Sequence, residues 1–192
     1  MKYSIPYLLI ILFIYSTVYS CSKPDKKHPA CIGKDRWDVK TLTDVNESNV
    51  NYTPINTTIK TLVNIPFQQT LEKNTPRFVI ELNTYSIRCH IREYKLSDDG
   101  DYHLVLEDLS DPSITMIGEI PDPYCSSVNQ SKHISEFTKA RNDFQNSLLV
   151  TGQVDTSVYL ITGPVFYDKV HGQLGAAPDA IEIHPILSII RK

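Results

Sequence analysis

Between residues 77 and 191 apolar and polar positions alternate with a period of two, interrupted by one stretch whose period is that of an α-helix. In "RFVIELNTYSIRCHIREYKL", residues 77–96, Tyr85, Ile87, Cys89 and Ile91 share one face, and the apolar face then switches to Tyr94 and Leu96. Such a switch predicts a long first strand with a bulge or strong bend. "SDDGD" has hairpin-turn chemistry, and "YHLVLEDL" predicts a second strand that sends Tyr102, Leu104 and Leu106 to the core. After a "DPS" turn, "ITMIGEI" predicts a third strand, with Gly118 where the backbone bends or is closely approached. Ile134, Phe137, Ala140, Phe144 and Leu148 recur at near-helical spacing, which predicts one amphipathic helix over 133–149. "TSVYLITGPVFYD" predicts a fourth strand, ended or bulged at Gly163-Pro164. "AIEIHPILSII" predicts a fifth with Ile181, Ile183, Leu187 and Ile189 inward, Glu182 and His184 outward, and Pro185 at an irregular point.

The order strand, strand, strand, helix, strand, strand describes a mainly β domain with one helix, an OB-fold-like five-stranded Greek-key barrel with an N-terminal irregular extension. In that extension residues 43–76 are rich in Asn and Thr; "TTIKTLVNIP" suits one short helix or turn, and its surroundings read as ordered but irregular coil. No internal repeat occurs.

The N-terminus sets the expected compartment. Lys2 followed by "IPYLLIILFIYSTVY" is too short to span a bilayer comfortably and stands where an export signal belongs. Val18, Ser20 and Cys21 fit a lipoprotein signal box that would make Cys21 a lipidated first residue, with simple cleavage or an uncleaved anchor as alternatives. The expected organisation is therefore a signal peptide over 1–20, a Lys- and Pro-rich tether over 21–30 and a single domain over 31–192, anchored to the cell envelope or secreted. The formal net charge is −3 with 21% charged residues and no long basic run, so nucleic acid is an unlikely partner on electrostatic grounds. Asn46, Asn51, Asn56 and Asn129 each begin an N-x-S/T triplet, silent in a bacterial lipoprotein and open to glycosylation in a eukaryotic secretory host. Of the four cysteines, Cys89 lies on the apolar face of the first strand, where a buried thiol acts as an apolar side chain. Cys31 and Cys125 sit in loop-like contexts and are expected to form a disulfide; a second one between Cys21 and Cys89 is the alternative.

The phrases "CIGKDRWDVKTLTD", "DYHLVLED", "TMIGEIPDPYC" and "GPVFYDKVHGQLGAAPDAIEIHPIL", in this order, resemble a family of exported bacterial domains of unknown function, over about residues 31–189. The resemblance implies export and an OB-like fold and adds to the Cys31–Cys125 assignment, with Cys89 as an extra thiol. It implies no reaction.

Four constellations carry candidate chemistry. His103, Glu119 and His184, from strands two, three and five, project away from the core; two imidazoles and a carboxylate suit zinc with an open fourth position or general acid and base roles. The bland alternative is half-buried histidines that hydrogen-bond loop carbonyls beneath "DRWDVK". Asp98, Asp99 and Asp101 cluster in a turn without the spacing of a calcium loop and read as solvated. The fifteen-residue connection "FYDKVHGQLGAAPDA" brings Asp168 and His171 to a place that flanks the binding face of OB barrels, as a ligand groove or as a structural cap. Trp37, the single tryptophan, offers a stacking platform or a plug for the barrel end, with Arg36 and Asp38 paired locally. No nucleophile elbow or phosphate loop occurs, and no cofactor or metal is assigned. The function expected is a ligand- or partner-binding domain, a saccharide or protein ranking above nucleic acid. The alternatives are a metal-dependent nuclease or phosphoesterase built on His103, Glu119 and His184, with Asp101 or Asp168 assisting, and a purely structural envelope module.

Overall fold

The computed structural model describes residues 35–67, 69–151, 156–170 and 172–192; the proposed signal peptide and tether, Cys21, Cys31 and His171 lie outside them. The alternating segments form the expected strands: β2 (Asn83–Leu96), β3 (Tyr102–Asp108), β4 (Thr115–Ile120), β5 (Tyr159–Tyr167) and β6 (Ile181–Ile183). β2 pairs antiparallel with β3 through its second half and with β5 through its first, β3 with β4, and β5 with β6, while β4 and β6 run parallel. This closes the ring β2-β3-β4-β6-β5, with the helix α3 (Ile134–Thr151) between β4 and β5, as an OB-like barrel. Strand β2 serves both of its neighbours within the ring, β3 and β5, because it bends. Its register with β3 slips between Ile91 and Glu93, where the apolar pattern changes face.

Inside the ring Ile87, Cys89, Ile91, Leu104, Leu106, Met116, Ile161, Val165, Ile181 and Ile183 form one continuous core, which Ala140 and Phe144 of α3 join. Cys89 is a free, fully buried thiol, as its place in the strand implies, and Cys125 is fully buried and disulfide-bonded. Beyond the bulge Tyr94 and Leu96 are exposed, so the switched face does not enter the core. Tyr94 instead lies edge-on to Phe144 of the helix, ring centres 5.3 Å apart.

Three expectations are corrected. Strand β5 does not end at Gly163-Pro164; glycine stands there because a Cβ would lie 2.2 Å from the Pro185 carbonyl oxygen of the crossing chain. The fifth strand is split, because residues 184–187 bulge between β6 and β7 (Ser188–Arg191), both of which pair with β5. Ile186 takes the interior position, and Leu187 packs half-buried on a second cluster of Leu42, Cys125, Val128 and Phe137. The extension also contributes a strand, β1 (Asn51–Thr57), parallel to the start of β2, besides the expected short helix α2 (Ile59–Val63). Its side chains are exposed or half-buried, so no alternation announced it.

Residues 35–50 fold over the outer wall of the barrel. It forms one turn of helix, α1 (Trp37–Lys40), entered through left-handed backbone at Asp35 and Arg36. Residues with side chains resist that conformation, so other contacts must hold it. Arg36 supplies them: it is buried and donates to Glu81 at 2.8 and 2.5 Å and to the carbonyls of Thr75, Pro76 and Tyr167. The local Arg36–Asp38 pairing expected from sequence is therefore absent. The carboxylate that Arg36 needs is Glu81, fully buried and already accepting from the amides of Phe78 and Tyr167.

Candidate functional site

The outward positions of β3, β4 and β6 carry His103, Glu119 and Glu182, and the bulge that follows carries His184. Pleating turns them away from the core as expected. They are nevertheless buried, with 3%, 7%, 3% and 0% exposure, because α1 and the loop after β5 cover this wall. Lys40 of α1 reaches across it, with Nζ 5.0 Å above the Phe166 ring and 3.1 Å from Asp168 Oδ2. Gly175 of the loop packs where a Cβ would strike the Val105 side chain at 2.5 Å.

The three residues singled out in the sequence converge. His103 and Glu119 are cross-strand partners, with Nδ1 2.7 Å from Oε1. The other carboxylate oxygen of Glu119 lies 3.2 Å from His184 Nδ1, and Glu182 Oε1 lies 3.8 Å from the same nitrogen. On the far side of the ring, His184 Nε2 is 3.9 Å from Asp101 Oδ2. The tightest set is Asp101, Glu119 and His184, whose ligand-type atoms lie within 4.8 Å of one another. The expectation of half-buried histidines bonded to loop carbonyls fails in its partners: both imidazoles face carboxylates. The solvated aspartate turn is corrected too. Asp98 is exposed, but Asp101 is fully buried and accepts from the Asp122 amide at 2.8 Å.

Burial and mutual charge shift the titrating groups of this wall. Burial alone would raise the Glu119 carboxyl, but the His184 ring and the hydrogen bond from His103 outweigh it and hold it at about 2. Burial lowers His184 to about 4 despite Glu119. Burial first, and then neighbouring carboxylates, push Asp101 and Glu182 well above the ordinary carboxyl range. Burial opposes the charge on Lys40, yet Glu182, Glu119 and Asp168 together push its ammonium upward. Near neutral pH Glu119 is therefore a carboxylate, Lys40 an ammonium and His184 a neutral imidazole.

Two clefts bear on function, the first beside this wall and the second at α1. One, of about 210 Å³, lies under the β5–β6 loop and is lined by Ile117, Asp168, Gln173, Ala177, Ile181 and Glu182. The other, of about 360 Å³, is lined by Trp37 with Asp38, Asp44, Asn46, Lys73 and Asn74. Trp37 is half-buried: its indole donates to Ser127 Oγ at 2.9 Å and packs on the Leu42–Phe137 cluster. It thus seats α1 on the region before α3 while still lining a cleft. Asp168 is brought to the wall by Lys40, and His171 lies outside the described residues. Sequence reasoning missed Lys40, because a lone lysine in "DVKT" gives no sign that the buried Glu119 and Glu182 and the partly buried Asp168 surround it. No protein-family model matches the chain, and no curated protein matches it in sequence.

Proposed function

We propose that the chain is an exported OB-like domain, held at the cell envelope by lipid on Cys21, that binds a saccharide in the cleft beside Trp37. The observation that carries this reading is the immobilised indole at that cleft. A ring fixed from behind by Ser127 and the Leu42–Phe137 cluster offers an apolar platform without further ordering cost, and Asp38, Asn46, Lys73 and Asn74 supply donors and acceptors for hydroxyl groups. The mildly acidic charge argues against a polyanion. The hydrolase alternative needs substrate to reach His103, Glu119 and His184. Their burial under α1 and the β5–β6 loop is the reason the binding reading stands ahead.

The single tryptophan makes the test direct. Titrating the mature chain with soluble envelope glycans is expected to give a saturable change in tryptophan emission. Asn74→Ala is expected to weaken binding about tenfold by calorimetry, the loss of roughly one hydrogen bond. Unchanged emission and no heat across the glycan panel, with the protein folded, overturn the reading and direct the search to a protein partner.

A further inference from the structure

We propose that Asp101, Glu119 and His184 form a structural site for one divalent transition-metal ion of the zinc class, which ties three distant chain segments together. Asp101 stands at the end of the β2–β3 turn, Glu119 on β4 and His184 in the bulge after β6. One imidazole and two carboxylates are the mixed nitrogen and oxygen donors such ions take, and donors sharing one ion at about 2.0–2.2 Å must lie close to one another. These three do, within 4.8 Å.

A second observation points to a ligand independently. His184 is fully buried, and neither ring nitrogen has a hydrogen-bond partner; Asp101 Oδ2 and Glu182 Oε1, aimed at the same ring, are also without one. Buried imidazoles are normally hydrogen-bonded, so a ring with neither nitrogen satisfied has one nitrogen to give to an ion, beside unsatisfied carboxyl oxygens that can join it, while the other nitrogen faces a carboxyl. The remaining atoms are already oriented. Asp101 Oδ1 accepts from the Asp122 amide, and Glu119 Oε1 is bonded to His103, the support that ligands of a metal ordinarily receive. Glu182 is placed as a further oxygen donor. The imidazole favours zinc over calcium or magnesium, which take oxygen ligands. The burial that closes the wall to a substrate suits an ion that holds structure.

The test is native mass spectrometry and thermal unfolding of the mature chain, as purified and after dialysis against Zn²⁺, Mn²⁺ or Ca²⁺. One equivalent of Zn²⁺ is expected, with a rise in Tm that Ca²⁺ does not give. His184→Gln is expected to lose the ion. Because that variant can fail to fold, Asp101→Asn, which keeps the acceptor for the Asp122 amide, is the second probe and is expected to lose the Tm response while remaining folded. A folded parent that stays metal-free with an unchanged Tm in excess Zn²⁺ overturns the proposal. Full stoichiometry retained in both variants does so too, by placing the ion elsewhere, such as at the His133–Glu47 pair. Glycan binding at Trp37 is read separately by emission, so either reading can fail alone.

Discussion

Replacing Arg36 by Met tests whether one buried ion pair seats the segment around α1. The guanidinium and the Glu81 carboxylate have side-chain exposures of 2% and 0% and meet through two contacts. Removing the arginine strands a carboxylate in the interior and takes the donor from the carbonyls of Thr75, Pro76 and Tyr167. Breaking a buried pair from one side costs about 3–5 kcal/mol, a large part of the about 5–15 kcal/mol that holds a domain of this kind. Arg36→Met is therefore expected to lower the unfolding free energy by about that much in guanidinium titrations followed by circular dichroism. Amide exchange over residues 36–42 should rise with it. Lys139→Ala is the control: its pair with Asp143 lies one helical turn away on an exposed face, and its loss is expected to cost about 0.5 kcal/mol or less. The double variant Arg36→Met, Glu81→Leu should not recover the parent's stability, because the amides of Phe78 and Tyr167 would then lose their acceptor at about 1–3 kcal/mol each. A loss below about 1 kcal/mol for Arg36→Met refutes the reasoning. It would mean that Glu81 is satisfied by those two amides and that Lys40 and Trp37 hold the segment.

Asp108 accepts from the Lys60 amide at the start of α2 and from Ser110. Burial would raise its carboxyl, but those hydrogen bonds outweigh burial and lower it. Its stabilising contribution is thus present above the unfolded value near 4 and fades as pH falls through the lower folded value. Asp108→Asn should cost about 1 kcal/mol at pH 7 and progressively less below pH 4 in denaturation curves; a gap that is constant with pH would sink this assignment. Burial first, with Asp108 adding to it, pushes the Cys89 thiol upward, so it should resist alkylation in the folded protein and react once denatured. Peptide mapping without reductant should join Cys31 to Cys125. Native labelling of Cys89, or a free Cys125, contradicts the cysteine assignment.

The barrel was legible because its strands alternate, and the bend at Ile91 because the alternation changes phase. What escaped the sequence lies where backbone pairing proceeds without a buried face. β1 adds to β2 through main-chain bonds while its side chains stay exposed, so its pattern looks like coil. The candidate site was half legible. Alternation correctly turned His103, Glu119 and His184 away from the core, but it carries no information about what covers the outer wall. That cover depends on Arg36 finding Glu81, a pairing across 45 residues. Asp101 was named as part of an acidic turn and as an assisting carboxylate of the hydrolase alternative, but nothing in "SDDGD" distinguishes it as the aspartate that folds inward.

Closing the ring also decides where copies of this chain can join. A closed barrel has no free strand, and the two strands outside the ring, β1 and β7, are the outer members of the described sheet. The helix α3 packs on β7. β1 carries Pro54, which lacks an amide to donate, within the stretch where its register with β2 slips. An edge with a missing donor and an uneven register is a poor template for another strand. Strand-mediated aggregation therefore has one address among the described residues, and the chain guards it with the polar, proline-bearing segment that looked least structured in the sequence.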